Sequence, residues 1–176
     1  MQLGKKITKY LLNFADEKIY SFLKKNVDIM PNRFLKFVSV FYTDARIRRL
    51  YWERMGVKFG NNTCANIEFN IISDSVDNIN VEIGNNVSIA RNCTLIVDSS
   101  PNNSTGMCEN DYIKNNLIKN GFIKIEDDVW IGANVTVLPN ITIRKGSVIG
   151  AGSVVVSDTE EFSVYAGCPA RKIRNI

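Results

Sequence analysis

"WIGANVTVLPNITIRKGSVIGAGSVV", residues 130–155, decides the fold. Every sixth residue from Ile125 onward is a branched aliphatic: Ile125, Ile131, Val137, Ile143, Ile149 and Val155. An amphipathic helix repeats every 3.6 residues and a half-buried strand every second residue. Residues six apart lie about 600° around a helix, on different faces, so the spacing excludes one. Period six fits short strands joined by tight corners, each strand turning one aliphatic inward. The fourth residues after those aliphatics are Val129, Val135, Ile141, Ser147, Ser153 and Thr159, all small or β-branched, as a crowded corner requires. Asn and Gly recur between them, where the chain must bend. Three such faces close one coil, and stacked coils bury a continuous aliphatic column. The residues therefore predict an all-β solenoid.

The rhythm also runs through residues 57–99, less evenly. Phe59, Ala65 and Ile71 keep step, then Ile83, Ile89 and Leu95, but position 77 is Asp, so the hexad there is irregular or bulged. Between the two blocks lies 100–122, "SPNNSTGMCENDYIKNNLIKNGF", polar and rich in Asn, with no hexad. A long insertion in a regular scaffold is usually functional or disordered. Residues 1–56 read as a helical region. Ile7, Leu11 and Phe14 follow helical spacing, as do Leu12, Ala15, Ile19 and Phe22; Pro31 interrupts, and Thr43 or Asp44 caps a helix ending near Gly56. Lysines 5, 6, 9, 24 and 25 surround the first apolar face. This is either a membrane-surface helix over residues 1–30 or a helix docked on its own domain or a neighbouring subunit.

Composition narrows the function. The 176 residues suffice for one domain with a real core, and the net charge of +4 is too small to point to nucleic acid. No apolar run approaches the ~18 residues of a membrane span. The start, "MQLGKKITKY", lacks the apolar core of a signal peptide, so a cytoplasmic protein is expected. The four cysteines form no CxxC pair and there is no histidine, so no metal site is expected. Cys64, Cys93 and Cys168 read as small, mostly buried residues, and Cys108 as a bystander in the polar loop.

"IEDDVWIGANVTVLPNITIRKGSVIGAGSVV" followed by "AGCPARKIR" resembles the C-terminal half of the hexapeptide-repeat acyltransferases. The similarity is strongest to sugar O-acetyltransferases of the galactoside, maltose and capsule or lipopolysaccharide type, and covers about 57–176. It implies a left-handed parallel β-helix over 57–176 with a protruding arm loop at 100–122. It also implies a homotrimer with active sites between subunits, acetyl-CoA as co-substrate, and a sugar acceptor. Asn66 and Asp74 match the family's acceptor positions. Ala133 and Ala151 match small residues along the CoA groove, where the pantetheine arm must approach the backbone. Arg171 and Arg174 match the cations that meet the nucleotide phosphates, as forked donors suit phosphate. Where the family often has Thr-Lys, this chain has Val156 and Ser157, so one cation is missing. Trp130 is common in the family at this point and is expected to pack on the prism face.

The family's catalytic histidine falls on Ser100 in "TLIVDSSP". A general base contributes about 10²–10⁴-fold. Three alternatives follow. A carboxylate can take over: Asp98, which faces the same side of a strand as residue 100, or Glu109 or Asp111 on the arm. The acceptor can be an amine, making the chain an N-acyltransferase of amino sugars or nucleotide amino sugars. Or the chain is a non-catalytic trimeric relative, or an otherwise normal enzyme altered at this serine. A carbonic-anhydrase-like use of the fold is disfavoured, because that site needs histidine ligands.

Overall fold

The structure is a computed structural model that describes residues 2–176, with side-chain surroundings from Tyr10 onward. From residue 58 the chain passes in turn through three parallel sheets. The first holds Lys58–Phe59, Val81–Ile83, Ile123–Ile125 and Ile141–Ile143. The second holds Cys64–Ala65, Ser88–Ile89, Trp130–Ile131, Val148–Ile149 and Ser163–Gly167, with Ala170–Asn175 added antiparallel at its end. The third holds Asn70–Ile72, Thr94–Ile96, Thr136–Val137 and Val154–Val155.

The six-residue register is kept across the coils. Ile125 pairs with Ile143, Ile131 with Ile149 and Val137 with Val155, each 18 residues on. All six side chains are buried, at most 1 % exposed. The fourth residues follow suit: Val129, Val135, Ile141, Ser147, Ser153 and Thr159 are all buried. Corners are turned with left-handed backbone. Asn62, Asn86 and Asp128 adopt positive φ on one edge, and Asn92 and Asn134 on another. Asn and Asp tolerate this conformation because their short polar chains bond locally. They also bond along the edge, Asn62 to Asn86 at 3.1 Å, Asn86 to Asp128 at 3.1 Å and Asn92 to Asn134 at 2.8 Å.

The irregular hexad has a simple cause. In the first coil paired residues are 24 apart, Lys58 with Glu82, Cys64 with Ser88 and Asn70 with Thr94. One hexad around Ser73–Asn78 is looped out of the sheets and forms an exposed bulge. The second long insertion lies one coil later: strands Asp98–Ser99 and Lys119–Asn120 pair antiparallel as its base. Two short helices, α4 (Thr105–Glu109) and α5 (Asp111–Asn116), fill it.

The N-terminal region forms α1 (Gln2–Lys25), α2 (Asn32–Phe41) and α3 (Ala45–Arg54). Asp44 caps α3 through Arg46 N, at 2.8 Å. Helices α2 and α3 plug the open end of the coil with Leu35, Ile47, Tyr51, Trp52 and Met55. Buried Arg48 fastens α3 to the first coil, donating to Tyr42 O (2.6 Å), Thr43 O (2.8 Å) and Ala65 O (2.9 Å). Among the described residues only the end of α1 docks: Leu23 is buried and its carbonyl accepts from Tyr51 Oη, whereas Leu11, Leu12, Phe14, Ile19 and Phe22 stay exposed. Docking on its own domain, one of the readings left open for this helix, is thus confined among the described residues to its last turns. The side chains of Lys5, Lys6, Ile7 and Lys9 lie outside the described residues. Cys93 is buried, but Cys64 and Cys168 are exposed and Cys108 is half-buried. Cys64 points out of its strand because Ala65 takes the inward position.

Candidate active site

Two features flank the coil. The first is a track of small residues along one corner of the second sheet. One step beyond the inward residues Ala65, Ile89, Ile131, Ile149 and Tyr165 come Asn66, Ala90, Gly132, Gly150 and Ala166. Each of the first four donates its backbone N–H to the next coil, at 3.0, 3.0, 2.8 and 2.8 Å. The glycines are required by space. A Cβ on Gly132 would lie 2.6 Å from Ala151 N, and one on Gly150 2.9 Å from Ala166 Cβ. The next residues, Ala133 and Ala151, stack on the same corner, joined through Gly152 N to Ala133 O. Ala133 is half-buried and Ala151 exposed.

The track ends on two cations. Residues 171 and 174 are three apart, which in a regular strand puts them on opposite faces. Here the terminal hairpin carries an irregularity between Val164 and Tyr165, so Arg171 pairs with Ala166 and Arg174 with Val164. Their partners are two apart, and both guanidinium groups therefore stand on the outer face. Among the described residues neither forms an ion pair, whereas Lys172 between them is engaged by Glu160. Trp130 lies on the adjacent outer row with Ser88, Val148, Val164 and Arg174. Its side chain is 60 % exposed on that outer row. Ser157 is exposed just past the last strand of the third sheet.

The second feature is a cavity of about 300 Å³ between the bulge at 73–78 and the base of the arm, lined by Ser73, Asp74, Asp98 and Asn120 among others. Asp98 connects its two walls. Its Oδ2 accepts from Ser73 Oγ at 2.7 Å and from Asp74 N at 3.0 Å. Among the described residues its Oδ1 has no intramolecular partner. The tether fixes one edge of the carboxylate.

The remaining expected site residues are scattered. Ser100 is half-buried and donates to Asn102 Oδ1 at 3.2 Å. Glu109 ends α4 and Asp111 begins α5; both are exposed, and neither lines the cavity. Asn66 turns a corner, its Oδ1 accepting from Ile67 N at 2.7 Å. The structure thus joins Asp74 with Asp98, and aligns Asn66 with Arg171 at opposite ends of one track. Ser73 was not foreseen. Its hydroxyl matters only because the looped-out hexad folds back onto Asp98.

Residues 122–157 match the family of bacterial transferases with six hexapeptide repeats. That stretch therefore carries the hexapeptide repeat of the bacterial transferases. It is 40 % identical over 120 residues to a galactoside O-acetyltransferase of Escherichia coli (strain K12), covering 68 % of this chain and 54 % of that protein. Among solved structures it is similar to a polySia-specific acetyltransferase, NeuO, with 30 % identity and a TM-score of 0.57, over 68 % of this chain and 51 % of that one. It is also similar to a galactoside acetyltransferase in complex with coenzyme A, with 27 % identity and a TM-score of 0.57, over 82 % and 78 % of the two chains. The chain spans about half the length of the first curated relatives it matches, 53–54 %. The given sequence contains no histidine.

Proposed function

We propose that this chain is an acetyl-CoA-dependent sugar O-acetyltransferase of surface-polysaccharide synthesis. In this reading it is a cytoplasmic trimer of left-handed β-helices. The observation that carries it is the small-residue track running from Asn66 to the paired guanidinium groups of Arg171 and Arg174. From Asn66 to Ala166 it climbs four strand spacings, about 19 Å. That suits an extended acyl-pantetheine arm lying against backbone, with its nucleotide phosphates held by the two arginines. The glycines keep the floor low enough for that approach. The similarity to a galactoside acetyltransferase with coenzyme A bound supports the same placement.

Asp98 takes the role that a histidine would fill. Its free Oδ1 accepts the proton of the acceptor hydroxyl as that oxygen attacks the thioester carbonyl. The C–S bond then breaks, the acetyl group passes to the sugar oxygen, and the leaving thiolate takes up the proton. Ser73 and Asp74 N hold the carboxylate in orientation, so little reorganisation accompanies the transfer. Asn66, Asp74, Glu109 and Asp111 complete the acceptor side, Glu109 and Asp111 from an arm that reaches towards a neighbouring subunit. Ala133, Ala151 and Ser157 border the donor.

The absence of histidine favours one second reading, acetylation of an amino sugar, since a neutral amine attacks without a base. The test is incubation with acetyl-CoA and sugar acceptors, following free thiol and the product. Acceptor-dependent thiol release, with a product lost in mild base, is the expected result for an ester. A base-stable product would establish the amide instead. No thiol release with any sugar, together with no CoA binding, would refute transferase action.

A further inference from the structure

The acidic cavity has a basic neighbour. A second cavity, about 400 Å³, lies between α2 and the bulge, and Ser73 and Ser75 belong to the walls of both. The first contains Asp74 and Asp98; the second contains Arg33 and Lys36 and no carboxylate. Residues 33 and 36 are one turn apart, so both cations stand on one side of α2. Among the described residues neither forms an ion pair. Arg33 is exposed in the first turn of α2, whose N-terminus itself favours negative charge. Lys36 is half-buried. Its Nζ donates to Ile71 O and lies 4.6 Å from the centroid of the Trp52 ring, so it is held in place without a counter-ion. Met55 and Ile79 give the cavity an apolar floor, as the C–H face of a sugar ring requires.

A half-buried ammonium without a carboxylate partner carries a desolvation cost that one carbonyl and a ring face offset only in part. An anion bridging Arg33 and Lys36 would offset it. We propose that this cavity is the anion subsite of an acceptor site, and that the acceptor is an acidic saccharide. Its carboxylate or phosphate sits between Arg33 and Lys36, and its reacting hydroxyl reaches past Ser73 to Asp98. What is done to that hydroxyl rests on the transferase reading; the binding of the anion does not.

Calorimetric titration of the full chain with galacturonate, galactose 6-phosphate and galactose tests the subsite, with CoA titrated into the same preparations. At least one acid binds about tenfold more tightly than galactose, the worth of one charge-assisted contact. That preference shrinks with added salt and falls in Arg33→Gln and Lys36→Gln. A preference for galacturonate assigns the anion as carboxylate, and one for the phosphate as phosphate. Equal affinities, no detectable binding of either acid, or a preference untouched by both substitutions would overturn the subsite. Acid binding without CoA binding would refute transferase action and leave the subsite standing. CoA binding without acid preference would do the reverse.

Discussion

At the scale of the residue, the account turns on Asp98. Its two accepted bonds both fall on Oδ2, so it is oriented and still has an open oxygen. Asp98→Asn keeps the shape and removes the proton acceptor. Turnover is expected to fall about 10²–10⁴-fold with little change in KM. Unchanged turnover would transfer the role to another group or to an amine acceptor. Ser100→His is expected to raise O-acetylation, and a silent substitution would show that position 100 does not face the acceptor. Lys36 offers a separate check, in stability. Burial lowers its pKa from 10.5 to about 8. Between those values the unfolded chain holds a proton that the folded chain has released, so stability rises with pH across that window. The Tm of the wild type should therefore gain on that of Lys36→Met between pH 8 and 10.5, and a constant difference would contradict the assignment. Asp98 could be proposed from sequence because residues two apart share a strand face. Its bond to Ser73 and the contacts of Lys36 could not, because they depend on how a looped-out hexad and a helix fold against the coil.

At the scale of the element, the hexad determines both the core and the groove. The inward aliphatics were readable directly, since one buried position recurs every six residues whatever the neighbours are. Ile131 is fully buried, and Ile131→Ala should cost about 2–5 kcal/mol in denaturant unfolding. The track beside it separates stability from donor binding. Gly132→Ala pushes a Cβ towards Ala151 N and should cost about 1–3 kcal/mol. Ala151→Glu, on an exposed position, should leave stability nearly unchanged while weakening CoA binding at least tenfold. If the two substitutions affect CoA binding alike and stability alike, the corner is not a donor groove. The terminal pair was only partly legible. The resemblance named Arg171 and Arg174, but a spacing of three in a strand argues against a joint role. The irregularity opposite Val164 and Tyr165 removes that objection, and no residue pattern announces it.

At the scale of the whole molecule, the proposed donor groove lies on one corner of the coil, after the second sheet, and the insertion at 100–122 leaves another, after the third. In the proposed reading a single chain offers one wall of the site and the insertion reaches a neighbouring copy. Sedimentation equilibrium should therefore give three times the 19.8 kDa chain mass, and a monomer would leave the arm without a role. The repeat was visible at this scale because it is a property of many residues at once. The proposed trimer rests on the resemblance alone, since no residue pattern by itself specifies a partner face. The most direct test of the account is calorimetric titration of CoA into the wild type, Arg171→Ala and Arg174→Ala. The account predicts saturable one-site binding by the wild type, weakened about tenfold or more by each substitution with no change in Tm. No binding to the wild type, or equal binding by all three, would contradict it.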